Sequence, residues 1–450
     1  MGRGGVRAPP DTHDFGREGA LQGGGDVSLD RLLPPLATGV HWGLERTETV
    51  LRELGDPHRC CPVLHVGGTN GKGSMAAVWA RILHHAGHRV GLYTSPHLCS
   101  FRERFQVGGG PVEGPELEAA AHEARFPMTR VGLTFFEAAT VLAFHLFRRL
   151  EVDVALVEVG LGGRLDATNV VSPRLSAITN VAMDHADYLG DTLAAIAREK
   201  AGIIKPAVPV MTAETDPRLL DLFRRRAREV GAPFRALDTE AVIHELEVAP
   251  RGNAFTLETD LWGTLPLISP LPGRHQASNV ALAVRSLELL DEDLRPDRED
   301  VVEGVADVCW PGRLQIEVRE EGVWVFDVAH NVAGVRALAA ALPSLRLPEP
   351  LVLLVGIQGD KDWRAMLPPL FTMTREAVLT QPPTVPPGRR WNPLEAAGAV
   401  ETRPNLHIVP DFQEATDVAR RAAGRGTVVV TGSHHTVGDA MNVLGIRPYA

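Results

Sequence analysis

The chain has 450 residues, 44% of them apolar and 23% charged, with a formal net charge of −10. That length suits two soluble globular domains, and the acidic balance argues against a nucleic-acid binder, which would show a basic face. Four cysteines without a CxxC spacing argue against a disulfide framework or a zinc site and fit a reducing, cytoplasmic setting, and no apolar run approaches the roughly 20 residues of a membrane span or forms a secretion signal.

Residues 1–26, rich in Gly, Arg, Pro and Asp, read as a disordered tail. Helical spacing follows from Val27 to Leu54, broken near Pro34-Pro35 and Gly39, with His41 to Arg46 between the pieces. Pro62 to Val66 predicts a short buried strand, Gly67 to Ser74 a glycine-rich turn and Met75 to Leu83 a helix. Strand, glycine turn and helix form the arrangement that wraps backbone N–H groups around phosphate oxygens. Lys72 would reach the β- and γ-phosphates, and Ser74 would offer its hydroxyl to Mg²⁺. The turn departs from the strict Walker pattern, with Val66 in place of a glycine and Gly73 in place of the hydroxyl residue that follows the lysine.

A second strand, His88 to Thr94, ends in the polar turn Ser95-Pro96-His97. A helix from Gly132 to Leu150 has Thr134 as its N-cap and Glu137 as the capping-box partner. Asp153 to Val159 reads as a central parallel strand, and a carboxylate near its end, Glu158, is costly unless it is paired or binds a metal. Gly160 to Asn169 is a polar loop. Leu175 to Val181 is the next strand and runs into Ala182 to His185; a lone histidine is usually structural, but His185 closes the same sheet edge as Glu158, which points to a metal role.

Leu193 to Ile204 predicts a helix carrying Glu199 and Lys200, His275 to Leu290 one carrying Asn279, and Asp300 to Val308 a third, with mixed strand-like and helix-like pieces over 206–270. A hinge is expected at Trp310 to Arg313. Strands then recur at Gln315 to Val318, Val323 to Val328, Leu351 to Val355, Ala377 to Thr380 and Val428 to Thr431, with a helix from Gly334 to Leu342. Pro382 to Arg390 reads as an exposed loop to which no chemistry attaches. The expected fold is α/β: a P-loop ATPase domain with a mostly parallel sheet over residues 27–311, and a smaller Rossmann-like α/β domain over 312–450.

These motifs, with Tyr93 to Leu98, Leu133 to Glu137, Glu158 to Asn169, Met183 to His185, Glu199 to Lys205, Gly273 to Gln276, Trp310 to Arg313 and Asp327 to Asn331, occur in one order. From about residue 40 onward the chain resembles the folylpolyglutamate synthase/dihydrofolate synthase family of the Mur-ligase superfamily. The resemblance implies an ATP-dependent amide ligase. ATP phosphorylates a carboxylate, and the amine of L-glutamate attacks the acyl phosphate, with dihydropteroate and then tetrahydrofolate as acceptors. It implies Asn70, Gly71, Lys72, Gly73 and Ser74 on the ATP phosphates, with Asn279, Arg313 and Asp327 at adenine, phosphate and ribose. Two Mg²⁺ ions would lie among Ser74, Ser95, Glu158 and His185, with a monovalent cation as a further candidate. Lys72, Glu158, His185 and Lys200 would be the catalytic set, Lys200 modified by CO₂ to a carbamate.

The pterin would meet His41, Trp42, Gly43 and Leu44, then Thr134, Phe135, Phe136 and Glu137, then Leu165, Asp166 and Ala167. Phe136 would stack on the flat ring, although core packing is its ordinary role, and Asp166 would accept from ring N–H groups. A cytoplasmic monomer without nucleic-acid or membrane partners is expected. The alternative is folylpolyglutamate synthase activity alone. A Mur-type or cyanophycin-type ligase with another acceptor is opposed by Thr134 to Glu137 and Leu165 to Ala167, and a non-catalytic nucleotide-binding module by the presence of Glu158, His185 and Lys200.

Overall fold

The structure is a computed structural model. It describes residues 32–33, 39, 41–399 and 404–449, so the expected tail at 1–26 and most of the expected helical stretch before His41 lie outside the described residues. The chain runs α1 (Glu45–Glu53), β1 (Val63–Gly67), α2 (Lys72–His85), β2 (Val90–Tyr93), β3 (Phe105–Val107), β4 (Gly110–Pro111), α3 (Gly114–Val131), α4 (Phe135–Arg149), β5 (Val154–Glu158) and β6 (Leu175–Ile178). It continues through α5 (Ala186–Leu189), α6 (Leu193–Lys200), β7 (Val210–Thr212), α7 (Pro217–Val230), β8 (Phe234–Ala236) and α8 (Thr239–Val242). The antiparallel strands β9 (Ile243–Ala249), β10 (Gly252–Glu258) and β11 (Thr264–Ser269) come next, then α9 (Arg274–Leu287) and α10 (Arg298–Ala306).

The first sheet has the order β4-β3-β2-β5-β1-β6-β7-β8, and β2 through β8 in that order pair in parallel. Strands β1 and β5 are buried at every position, which explains their unbroken apolar runs. The register places Val66 opposite Glu158, Tyr93 opposite Val157 and Gly67 opposite Ile178. The carboxyl ends of β1, β2, β5 and β6 therefore lie side by side, and the loops that follow them share one crevice. The Thr134 capping box forms as expected: Glu137 N–H donates to Thr134 Oγ1, and Glu137 Oε2 accepts from Thr134 N–H at 2.8 Å. The Lys200 helix stops at Lys200 and continues as a 3-10 turn over Ala201–Ile203, short of the expected Ile204.

A second, six-stranded sheet follows from β12 (Gln315–Arg319), β13 (Gly322–Phe326), β14 (Leu351–Val355), β15 (Glu376–Leu379), β16 (Asn405–Ile408) and β17 (Thr427–Thr431), in the order β12-β13-β17-β14-β15-β16. Helices α11 (Val332–Ala341), α12 (Trp363–Phe371), α13 (Pro393–Ala399), α14 (Phe412–Ala423) and α15 (His434–Val443) accompany it. Strand β16 and the small β3–β4 hairpin were not foreseen; they are short and lie at sheet edges, where periodicity is weak, whereas the separate antiparallel β9–β11 sheet falls among the strand-like pieces expected over 206–270. The 382–390 loop is not merely exposed: Val385 and the adjoining Trp391 are buried, and Trp391 Nε1 donates to the Thr380 carbonyl at 2.8 Å. Among the described residues no helix is long and apolar enough to cross a membrane.

Helix α2 carries the phosphate loop and is wedged between α9 and α10. Trp79 is fully buried and donates from Nε1 to Ala283 O at 3.1 Å and Ser286 Oγ at 3.0 Å. Gly304 of α10 is needed because a Cβ there would sit 2.5 Å from Ile82 Cα of α2. Gly304→Ala is expected to destabilise the protein by about 1–3 kcal/mol through overpacking against a backbone that cannot yield; urea denaturation measures the loss, and an unchanged midpoint would mean that the two helices slide apart freely.

Candidate functional site

The carboxyl ends of both sheets face one cavity of about 860 Å³. From the first sheet come the phosphate loop, Ser95, Glu158, the Gly160–Ala167 loop, Asp184, His185 and Lys200; from the second come Asp327 to His330, Lys361 and Ser433 to His435. Of the residues singled out from the sequence, Asn70 to Ser74, Ser95, Glu158, His185, Lys200, Asn279, Arg313 and Asp327 line it. On the pterin side His41, Trp42, Gly43, Thr134 to Glu137 and Leu165 to Ala167 do too. Leu44 sits at the start of α1, where its carbonyl accepts from Glu48 N–H at 2.8 Å, and is not among the residues lining the cavity.

The phosphate loop is shaped by what packs on it. Gly71 has φ +85°, and a Cβ there would lie 2.4 Å from Asn279 Oδ1. A Cβ at Gly73 would lie 2.6 Å from the Trp310 indole, so the hydroxyl of a strict Walker sequence has no room at that position. Ser74 stands one residue on, fully inside, and its Oγ has no hydrogen-bond partner. Lys72 Nζ donates to Thr69 O at 3.1 Å and lies 3.8 Å from Glu158 Oε1, while Ser95 N–H donates to Glu158 Oε2 at 3.1 Å. Burial raises the Glu158 carboxyl above its ordinary value, and the Lys72 charge and the Ser95 N–H oppose that rise.

Lys200 is buried, with Nζ donating to Gly68 O at 2.7 Å. Burial, with the nearby Lys72 charge, pulls its pKa down to about 7, so a neutral amine is present at ordinary pH. His185 starts α5 in a left-handed conformation (φ +51°). Burial and the Lys361 charge lower its pKa to about 3, and Nε2 lies 3.4 Å from Lys361 Nζ, so the ring is neutral and faces an ammonium.

Asp184 was left without a role in the sequence and is the most heavily engaged carboxylate of the site. It meets Lys361 Nζ at 2.5 Å, Asn331 Nδ2 at 3.0 Å and His330 Nε2 at 3.4 Å, all from the second sheet's loops. Burial pushes its carboxyl up, but the hydrogen bond and charge of His330, with His185 and Lys361, outweigh burial and hold it well below the usual carboxylate range. Asn331 also pairs with Asn70 of the phosphate loop, at 2.9 and 3.3 Å. The signal for this clasp was present in Met183-Asp184-His185 and in Asp360-Lys361, but the pairing spans 177 residues.

Arg313 Nη2 lies 3.3 Å from His434 Nε2, and Asp327 accepts from Leu314 N–H at 3.0 Å and Ala329 N–H at 2.9 Å. Two further residues from the supposedly inert loop reach the cavity: Thr384, which contacts His435 Nδ1 at 2.8 Å, and Arg389, paired with Asp360 at 2.8 Å. On the opposite wall Phe136 lies over Gly160, where a Cβ would meet the ring at 2.3 Å, so it is partly packed and partly presented to the cavity. Arg46 grips Glu137 at 2.8 Å, and the Arg104 guanidinium lies 5.0 Å from the Phe135 ring centre. Asp166 accepts from Leu161 N–H at 2.7 Å and Thr168 N–H at 3.0 Å.

No three His, Cys, Asp or Glu side chains among the described residues converge as a metal site. The buried, unpartnered Ser74 Oγ and the Glu158 carboxylate both line the cavity, and hard oxygen donors of this kind suit Mg²⁺, an ion that completes its shell with water and phosphate oxygens.

Residues 66–287 match the Mur ligase middle domain and residues 312–434 the Mur ligase glutamate ligase domain. The chain is 36% identical over 347 residues to the dihydrofolate synthase/folylpolyglutamate synthase of Bacillus subtilis, covering 75% of this chain and 80% of that protein. It is 34% identical over 414 residues to the Escherichia coli protein of the same name, covering 90% and 92%. Among solved structures, Mycobacterium tuberculosis folylpolyglutamate synthase complexed with ADP aligns with a TM-score of 0.84 at 32% identity, over 90% of this chain and 95% of that one. Escherichia coli FolC in complex with DHPP and ADP aligns with a TM-score of 0.80 at 32% identity, over 93% and 96%. With the fold, the phosphate loop and the two-sheet cavity in agreement, the chain belongs to the folylpolyglutamate synthase/dihydrofolate synthase family of Mur ligases.

Proposed function

We propose that the protein is an ATP-dependent ligase that joins L-glutamate by an amide bond to dihydropteroate, and then to tetrahydrofolate, through an acyl phosphate. The observation that carries this reading is one cavity that holds a phosphate loop, an aromatic and carboxylate wall and a set of second-sheet cations. In the reaction the acceptor carboxylate takes the γ-phosphoryl and ADP leaves. The glutamate amine then attacks the acyl carbon, phosphate departs and the amine loses a proton. Such chemistry needs charge neutralised on the transferring group rather than a protein nucleophile.

Lys72 and the loop N–H groups would hold the β- and γ-phosphates, and Arg313, Asn279 and Asp327 the rest of ATP. Ser74 and Glu158, with Ser95 and His185, would hold two Mg²⁺ ions, which supply charge neutralisation between the γ-phosphate and the acceptor carboxylate. The Lys361 ammonium beside His185 Nε2 is a competitor that a second ion at His185 must displace. Phe136 would stack on the pterin and Asp166 would accept from its N–H groups. Lys361 and Arg389 supply positive charge suited to the two carboxylates of L-glutamate, each held in place by its own aspartate. One chain supplies every group named, as a monomeric enzyme would, and small-molecule substrates of this kind suit a cytoplasmic one.

The deciding assay is phosphate release with ATP, Mg²⁺ and L-glutamate, dihydropteroate and tetrahydrofolate being compared as acceptors. Glutamate-dependent turnover with both is expected; turnover with tetrahydrofolate alone reduces the function to chain extension, and silence with both overturns the folate reading.

Lys200 is proposed to carry a carbamate. Its amine must be unprotonated to attack CO₂, and with a pKa near 7 the neutral fraction rises from a minority at pH 6 to a large majority at pH 8, where an exposed lysine is still charged. A carbamate signal from ¹³C-bicarbonate is expected to grow over that interval and to vanish in Lys200→Ala; its absence at pH 8 would remove the assignment.

Asp184→Asn keeps the shape of the clasp but leaves the buried Lys361 ammonium uncompensated. The expected cost is about 3–5 kcal/mol of interface stability, read as an increased radius of gyration in small-angle scattering without nucleotide. An unchanged radius would show that other contacts hold the two sheets together.

A further inference from the structure

Strand β1 carries a histidine among valine, leucine and glycine. His65 is fully buried at mid-strand, opposite Val157 of β5 and Ser176 of β6. Burial, reinforced by the Lys205 charge, lowers its pKa to about 3, so the ring is neutral. A neutral imidazole offers one N–H and one lone pair. Nε2 lies 2.9 Å from the Thr168 hydroxyl, whereas Nδ1 is buried without a hydrogen-bond partner. Thr168 Oγ1 in turn contacts Asp166 Oδ1, and Asp166 lines the cavity.

Two proton arrangements fit this chain. In the first, Asp166 is ionised, the Thr168 hydroxyl donates to it, and His65 donates from Nε2–H to the hydroxyl oxygen, leaving Nδ1 as a bare lone pair. In the second, Asp166 carries a proton and donates to Thr168, Thr168 donates to Nε2, and Nδ1 becomes a buried N–H with no acceptor. Orphaned buried donors are the rarer and costlier of the two. The first arrangement also agrees with the Leu161 and Thr168 N–H groups aimed at the carboxylate. Burial raises the Asp166 carboxyl above its ordinary value, and the Thr168 hydroxyl with the Leu161, Thr168 and Gly160 N–H groups opposes that rise; a ring N–H arriving from the cavity would share a carboxylate oxygen with one of these donors.

We propose that His65 is a positioning residue that holds Asp166, through Thr168, as an ionised hydrogen-bond acceptor for ring N–H groups of the pterin substrate. This rests on the reading of Asp166 as a pterin contact, and His65 itself does not reach the cavity. Its influence is confined to the acceptor side of the reaction, because the relay has no member on the phosphate loop.

His65→Leu, His65→Gln and Asp166→Asn, compared side by side, test the relay. His65→Leu is expected to raise KM for dihydropteroate about tenfold, the cost of one hydrogen bond in a charged network. KM for ATP and L-glutamate should change less than about threefold. His65→Gln, whose amide N–H can still donate to Thr168, should recover most of the affinity. In a long-range ¹H–¹⁵N spectrum of histidine-labelled protein, the ring that disappears in His65→Gln should be protonated at Nε2. Should His65→Leu fail to fold, His65→Gln and the tautomer decide the matter.

A ring protonated at Nδ1, or a loss shared equally by all three substrates, overturns the relay. If Asp166→Asn raises the pterin KM and His65→Leu does not, the relay alone falls. If Asp166→Asn leaves that KM unchanged, the pterin reading of Asp166 falls and takes the proposed role of His65 with it.

Discussion

A single carboxylate ties the two halves of this molecule into one site. Asp184 belongs to the loop after β6, yet its strong partners, Lys361, Asn331 and His330, all come from the second sheet's loops. A buried ion pair of this kind adds little net stability over an apolar contact, but breaking it strands a charge, so it specifies one arrangement rather than merely strengthening it. Asn331 extends the clasp to Asn70 in the phosphate loop. The nucleotide loop and the second sheet are thus held in register by the protein's own contacts, and a ligand that bridges them meets partners fixed in place.

The same requirement explains the phosphate loop's departure from the strict Walker sequence. Its glycines are dictated by tertiary contact as much as by phosphate. Asn279, from α9, closes on Gly71, and the Trp310 indole, at the connection to the second sheet, covers Gly73. With that position covered, the hydroxyl moves one residue along to Ser74, whose Oγ stays inside without a protein partner. A change in the linker at Trp310 is therefore felt directly at the loop that binds phosphate.

What the sequence disclosed follows the range of the interactions. The capping box of Thr134 and Glu137 is set by neighbours three residues apart, and the loop from Gly67 to Ser74 and the strand ending in Glu158 show themselves in local runs of glycine and of apolar residues, so all three were legible. Strand ends also indicated which loops would share a crevice, because parallel strands in register bring Glu158, Ser95 and the phosphate loop together. The Asp184–Lys361 clasp and the entry of Thr384 and Arg389 into the cavity were not legible, since each depends on how one sheet faces the other. Phe136 escapes either simple description: Gly160 lets the ring lie down on the backbone, so packing and presentation to the cavity are one arrangement.

The chain's charge of −10 is at odds with a site built for ATP, a folate and glutamate, all anions. At physiological salt a surface charge is screened within about 8 Å, so the acidic exterior does little at the depth of the cavity. Inside, the cations are kept close to acids: Lys72 to Glu158, Lys361 to Asp184 and Arg389 to Asp360. Such pairing avoids the cost of isolated buried charge and holds each cation at a defined place. Lys200 is the instructive contrast. Its hydrogen bond goes to a carbonyl oxygen, Gly68 O, and burial with the Lys72 charge pulls its pKa toward neutrality, offset only in part by the more distant Asp184 and Asp166. With a pKa near 7 the Lys200 amine is partly neutral at ordinary pH, and the neutral form is the one able to attack CO₂.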